Sequence, residues 1–240
     1  MNDYIVFISD IHLHPQRNDL YVRFKKFLAW ALTNAKIVYI LGDFFHAWVG
    51  DDCIGAWEMN IAQDLMQLKQ AGVQLYFMPG NRDFLLGQKF AEIAGWQILA
   101  DPTVLVLNQQ HVLLTHGDQF CTDDVAHQWL RYFTRNQWFT RNFLRLPKQW
   151  RQAIVARVRK RSQNRQAHAL MLSNAVETVF LQAMQSAGAA VLIHGHIHRY
   201  QQTSHNIDED VLVRYVLSDW DDNPHYLVYN ERNYYKFNTL

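Results

Sequence analysis

A chain of 240 residues with 49% hydrophobic and 19% charged side chains has room for one large α/β domain carrying an insertion, and neither disorder nor a fibrous repeat fits that composition. Cys53 and Cys121 are too few and too far apart for a disulfide framework or a thiolate metal site, and both are expected as packed core thiols in a reducing compartment. The formal charge of +1 conceals an asymmetry: from Val125 to Val176 there is no Asp or Glu, so that segment carries +11 and the remainder −10, which predicts an inserted element with its own anionic partner.

The chain enters at once into an apolar run, Tyr4 to Ser9, with neither the basic start nor the small-residue cleavage site of a signal peptide, so a cytoplasmic location is expected. Four further apolar runs, Lys36 to Leu41, Val73 to Pro79, Val112 to Thr115 and Ala190 to His194, read as fully buried strands. Helical spacing in Tyr21 to Ala35 and Ile54 to Gln70 separates the first three, the alternation of a parallel sheet with covering helices. Ligands of such sheets gather at the carboxyl ends of the strands.

After Thr122-Asp123-Asp124, aromatic residues recur at helical spacing: Trp129 with Phe133, then Phe139 with Phe143. This predicts a helical insertion that Pro147 breaks into at least two helices, with a return to the core through a helix near Ala175 to Gln185. The expected division is a core of 1–124 and 185–240 with a helical lid over 125–184. The β-rich strings VLVRYVL, HYLVYN and NYYKF predict closing strands between Val211 and Phe237. No apolar run approaches the roughly 18 residues of a membrane-spanning helix, so any membrane role would be peripheral.

Each buried strand ends in a polar cluster: Asp10-Ile11-His12, Gly42-Asp43, Gly80-Asn81-Arg82-Asp83, His116-Gly117-Asp118 and His194-Gly195-His196-Ile197-His198. A lone Asp or His after a strand is ordinarily a turn cap or a satisfied polar group. Seven ligand-type side chains placed this way, Asp10, His12, Asp43, Asn81, His116, His196 and His198, converge on one edge of a sheet. Carboxylate, imidazole and amide donors without a thiolate suit Mn²⁺, Fe²⁺, Co²⁺ or Zn²⁺. Seven are too many for one ion, and two ions about 3.5–4 Å apart are a recurrent device for phosphate ester hydrolysis. His14, His46, His194 and Asp118 lie beside the cluster as expected supporting groups.

These motifs resemble the calcineurin-like metallophosphoesterase signature, DxH, GD, GNRD, H and GHxH in that order. The resemblance implies an α/β fold with a β-sandwich core flanked by helices and an inserted helical lid. It also implies one metal on Asp10, His12, Asp43 and His198, and a second on Asp43, Asn81, His116 and His196, with Asp43 bridging. The longer strings GDFFHAWVGDD, GNRDFLLGQKF and HGDQFCTDD are similar to the UDP-2,3-diacylglucosamine diphosphatase family of lipid A biosynthesis, and the likeness covers nearly the whole chain.

That family implies cleavage of UDP-2,3-diacylglucosamine to UMP and 2,3-diacylglucosamine 1-phosphate, with Mn²⁺, at the cytoplasmic face of the inner membrane of a Gram-negative bacterium. A hydroxide activated by two metals would attack the α-phosphorus, with Asp43, Asn81, Arg82 and His116 as catalytic residues. Substrate contacts implied by the match are Asn81, Arg82, Asp124, Ser162 and His196, with Asn164 and Arg165 standing where the family's pattern departs. His46 and Ser218 replace residues that are commonly Glu and Gly in the family. The insertion's arginines are expected to meet phosphate or anionic lipid, and Trp129, Phe133, Trp138, Phe139, Phe143 and Leu146 to meet acyl chains. Neither nucleic acid nor an obligate protein partner is implied. The competing expectations are a cyclic nucleotide phosphodiesterase or nuclease of the same superfamily, and a non-catalytic scaffold that has kept the fold.

Overall fold

Strand β1 (Tyr4–Ile8) is apolar along its length because it is covered on both faces. Helix α1 (Asn18–Asn34) covers one of them with Leu20, Phe24, Phe27, Leu28 and Ala31, a helical stripe that buries entirely. The chain continues through β2 (Ala35–Leu41), α2 (Ala56–Gln70), β3 (Gln74–Met78), α3 (Gln88–Ala94), β4 (Gln97–Ile98), β5 (Thr103–Leu107) and β6 (Gln110–Thr115). Three helices follow, α4 (Val125–Thr134), α5 (Gln137–Leu144) and α6 (Lys148–Ala169), and then α7 (Glu177–Ser186) and β7 (Val191–His194). It closes with β8 (Gln201–Ile207), β9 (Asp210–Val216), β10 (His225–Asn230) and β11 (Tyr234–Thr239). The computed structural model describes residues 4–122, 125–169, 177–207, 210–230 and 234–240, without the side chains of 125–127, 130 and 161–169.

The five expected strands all form, but they belong to two sheets. The first runs β11-β10-β1-β2-β3-β4 and the second β5-β6-β7-β9-β8. The single edge expected from the motifs is therefore the joint edge of two packed sheets. Phe7, Tyr39, Leu41 and Met78 of the first meet Val112, Leu114, Ile193 and Tyr215 of the second. Helices α1 to α3 cover the outer face of the first sheet, and α7 covers the second with Phe180 and Met184. Although α7 falls largely within the segment expected as lid, it packs with the core sheet. The parallel pairs β1 with β2, β2 with β3, β6 with β7 and β7 with β9 make strands of each sheet end together.

The insertion contains one helix boundary more than Pro147 predicts: Asn136 accepts the N–H groups of Trp138 at 2.8 Å and Phe139 at 3.2 Å and so starts α5. It is anchored by arginines. Arg131 reaches Asp118 at 3.1 Å, Arg135 reaches Asp101 at 3.1 Å, and buried Arg151 grips Asp52 with both terminal nitrogens and also donates to the carbonyl of Leu146. Three of the arginines expected to meet an anionic ligand are thus committed to carboxylates of the core. Cys53 and Cys121 are partly exposed and form no disulfide among the described residues, which corrects their expected burial.

Candidate functional site

Five residues of the site have left-handed backbones: Asp10 (φ 53°), His12 (φ 56°), Asp43 (φ 53°), His196 (φ 71°) and His198 (φ 61°). Such conformations disfavour non-glycine residues, and their concentration at strand ends marks a functional cluster. Backbone bonds hold the turns, from Asp10 N–H to the carbonyl of Gly42 and from His12 N–H to that of Asp43, both at 3.0 Å. Gly80 and Gly195 are required by space, since a Cβ at Gly80 would overlap the Asp43 carboxylate and one at Gly195 the Asp10 carboxylate.

Asp43 is buried and its oxygens face different partners. Oδ2 lies 3.3 Å from His12 Nε2 and 3.0 Å from Arg82 Nε, while Oδ1 accepts the Arg82 N–H at 2.8 Å and lies 3.7 Å from His116 Nε2. Asp10 spans the two sheets, its Oδ2 accepting the His196 N–H at 2.9 Å and the Ser9 hydroxyl at 2.6 Å. Its Oδ1 is buried with no hydrogen-bond partner among the described residues, 3.4 Å from His198 Nε2 and 3.9 Å from His12 Nε2. His116 donates from Nδ1 to the carbonyl of Leu41 at 2.9 Å, which turns the Nε2 lone pair toward Asn81 Oδ1 at 2.9 Å. The rings of His116 and His196 are 5.1 Å apart, and those of His12 and His198 5.0 Å.

Among the described residues, donor atoms close enough to hold an ion fall into two groups, Asp10 with His12 and His198, and Asp10 with Asp43 and His116. Oxygen and imidazole lone pairs facing one another, with a buried carboxylate oxygen unpartnered among them, fit divalent cations. Burial and then Arg82 push His12 down to about 4, so its ring is neutral and can act as a ligand. Burial opposes the protonation of His198, but Asp10 and Asp219 outweigh it and raise the ring to about 10. The same contacts would orient its nitrogen for a metal, with Asp219 Oδ2 3.2 Å from Nδ1.

Groups around the cluster fix its loops. Asp83 accepts the N–H of Phe44 at 2.7 Å and of Gly80 at 2.8 Å, and burial followed by the Asp43 charge raises it to about 7. Burial and then Arg214 push His194 down to about 3; its Nδ1 donates to the carbonyl of Gly195 and its Nε2 accepts from Arg214 at 2.8 Å. Asp118 is buried and pairs with Arg131 and Arg135. His14 and His46 meet edge to face and line a cleft of about 520 Å³ that opens on His12, Arg82 and His198.

Asp219, Asp101 and Arg159 carry roles that the motifs did not suggest. Asp219 follows the end of β9, the position that marked the other clusters, so that signal was available. Arg159 comes from α6, and its Nε is buried without a hydrogen-bond partner among the described residues. Burial, then the charge of Arg82, lowers it to about 10, with the charges of Asp43 and Asp83 opposing. Of the expected substrate contacts, Asn81, Arg82 and His196 come together at the cluster. Asp124 lies outside the described residues, as do the side chains of Ser162, Asn164 and Arg165.

The insertion presents an aromatic series in which Trp129, Phe133, Phe139 and Phe143 follow one another with ring centroids 6.2, 6.1 and 5.9 Å apart. Phe143 reaches the core, while Trp129, Tyr132, Phe133, Trp138 and Trp150 are exposed, Trp138 by 75%. No helix among the described residues is long and apolar enough to cross a membrane.

The calcineurin-like phosphoesterase family model matches residues 4–200. A UDP-2,3-diacylglucosamine hydrolase of Nitrosococcus oceani is 41% identical over 216 residues, covering 90% of this chain and 86% of the relative. That of Pseudomonas aeruginosa PAO1 is 41% identical over 222 residues, covering 90% and 91%. That of Aeromonas hydrophila is 41% identical over 216 residues, covering 90% of each. With a cation-fitting cluster at its strand ends, this chain belongs to the calcineurin-like phosphoesterases and, among them, to the UDP-2,3-diacylglucosamine hydrolase family of metal-dependent hydrolases.

Proposed function

We propose that the protein hydrolyses the diphosphate of UDP-2,3-diacylglucosamine at the α-phosphorus, releasing UMP and 2,3-diacylglucosamine 1-phosphate for lipid A biosynthesis. The observation that carries this reading is Asp43, whose two oxygens face His12 and His116 separately, beside Arg82. The names of the relatives support the substrate. Asp10, His12, Asp43, Asn81, His116, His196 and His198 would hold two divalent ions, Mn²⁺ by family likeness, with Asp43 serving both. When bound, such ions lower the pKa of water and neutralise phosphoryl oxygens.

The remaining work falls to side chains of this chain. Arg82 and Arg159 offset charge on the phosphoryl oxygens, the contribution that is usually largest in such reactions. Asn81 and His196 contact the same group. Asp83 keeps the Asp43 and Asn81 loops in register through their N–H groups. A phosphate leaving group needs no proton donor, so no general acid is assigned.

The exposed aromatics of α4 and α5 bind the acyl chains and rest on the cytoplasmic face of the inner membrane, where the outward Arg141 and Arg157 meet anionic headgroups. Metal-stripped protein reloaded with Mn²⁺ should release UMP from UDP-2,3-diacylglucosamine in detergent, and not from UDP-N-acetylglucosamine. Cleavage of cyclic AMP or single-stranded DNA in its place would overturn the substrate assignment and leave a phosphoesterase of another kind.

A further inference from the structure

The aromatic face accounts for acyl chains and the cluster with Arg82 for phosphate, which leaves the nucleoside of the proposed substrate without a seat. The cleft beside His14 and His46 has the matching chemistry. Its volume, about 520 Å³, lies within the range of roughly 300–1,000 Å³ found for small-molecule sites. Among the described residues its lining comes from the core, and the only aliphatic one there is Leu20. It opens directly on His12, Arg82 and His198, so a group seated there is continuous with phosphate at the cluster.

The walls offer a flat ring and directed polar atoms. His14 and His46 have centroids 5.0 Å apart at an interplanar angle of 78°, so the two rings brace each other edge to face. His14 Nδ1 accepts the Gln16 N–H at 3.2 Å, which puts the proton of the neutral ring on Nε2 as a donor. Arg17 is held by Asp19 at 2.8 Å and by Asp221 Oδ1 at 3.0 Å, which fixes both Arg17 and Asp221 at the rim. Asp221 Oδ2 has no protein donor among the described residues and can accept from a diol.

We propose that this cleft binds the nucleoside of a pyrimidine nucleoside phosphate, with the base stacked on His14, its carbonyl oxygens facing Gln16, and the ribose hydroxyls on Asp221. The proposal rests on the diphosphatase reading and adds the subsite that reads the nucleotide. It also gives a role to His46, one of the residues that departs from the family pattern.

The test is calorimetric titration of Mn²⁺-loaded protein with UMP and, separately, with ribose 5-phosphate, which shares the phosphate and ribose and lacks the base. UMP is expected to bind about tenfold more tightly, since stacking of a base on a protein ring commonly contributes an order of magnitude or more. In His14→Ala the ratio should fall toward one, with ribose 5-phosphate binding reporting that fold and metals persist. In Asp221→Asn both ligands should weaken together. Equal affinities in the wild type, or a ratio unmoved by both His14→Ala and Gln16→Ala, would overturn the proposal. Failure of the substrate assignment looks different: no UMP release from the nucleotide lipid while UMP binding still depends on His14.

Discussion

Arg135, just past the end of α4, donates to Asp101 Oδ2 at 3.1 Å, and Asp101 Oδ1 accepts the N–H of His116 at 3.2 Å and the hydroxyl of Thr115 at 2.6 Å. One carboxylate therefore ties the helical insertion to the backbone of a cluster histidine. Arg135→Met removes the insertion's side of that tie while leaving the Asp101 bonds to β6. A hydrogen bond to a charged group contributes about 1.5–3 kcal/mol, so the melting temperature should fall by roughly 3–10 °C. KM for the nucleotide lipid should rise more than kcat falls, because the aromatic face is displaced while the cluster persists. An unchanged melting temperature and KM would show that the pair contributes nothing.

Asp118 ties the same insertion and gives it a pH dependence. Burial alone would raise its pKa, but His116, Arg135 and Arg131 outweigh burial and hold the carboxyl well below the ordinary carboxylate range. A folded-state pKa below the unfolded value contributes stability that is full above about pH 4 and is lost as pH falls through the folded value. Asp118→Asn should therefore be less stable than wild type at pH 7, with a smaller deficit at pH 3. Melting curves of metal-free protein at the two pH values check this, and a constant deficit would contradict it.

The rings of Trp129 and Trp138 are largely exposed, and Trp129 meets Tyr132 and Phe133 of its own helix, so both should matter little to folding. The double change Trp129→Ser with Trp138→Ser should alter stability by no more than about 0.5 kcal/mol. It should weaken binding to vesicles of mixed neutral and anionic lipid by about tenfold and raise KM for the diacylated substrate. Sedimentation with vesicles reads the first effect. Unaltered sedimentation and KM would assign these rings to neither membrane nor acyl chain.

Much of this arrangement is legible in sequence because it is local. Buried strands are continuous apolar runs, and each ligand-type residue sits within four residues of the end of one, from Asp10 after β1 to His198 after β7. β8 is hidden for the opposite reason: QQTSHNI is an edge strand with little burial, so no alternation betrays it. The partition into two sheets is a long-range fact, as is the pairing of Arg131, Arg135 and Arg151 with acids distant in sequence. A run of positive charge shows that acids are absent nearby and says nothing of acids brought by folding. Arg159 illustrates the same limit, since only the packing of α6 near Arg82 distinguishes it from its neighbours.

The central claim is that one shared carboxylate, Asp43, lets the chain hold two ions for hydrolysis. Metal content by plasma mass spectrometry and UMP release from UDP-2,3-diacylglucosamine should be measured on the same samples of wild type and Asp43→Ala, each stripped and reloaded with Mn²⁺. The expected result is two Mn²⁺ per chain with metal-dependent UMP release in the wild type, and in Asp43→Ala fewer ions and at least a hundredfold loss of kcat, on the order of 3 kcal/mol. Near-normal UMP release by Asp43→Ala, or undiminished release by the stripped wild type, would contradict the claim.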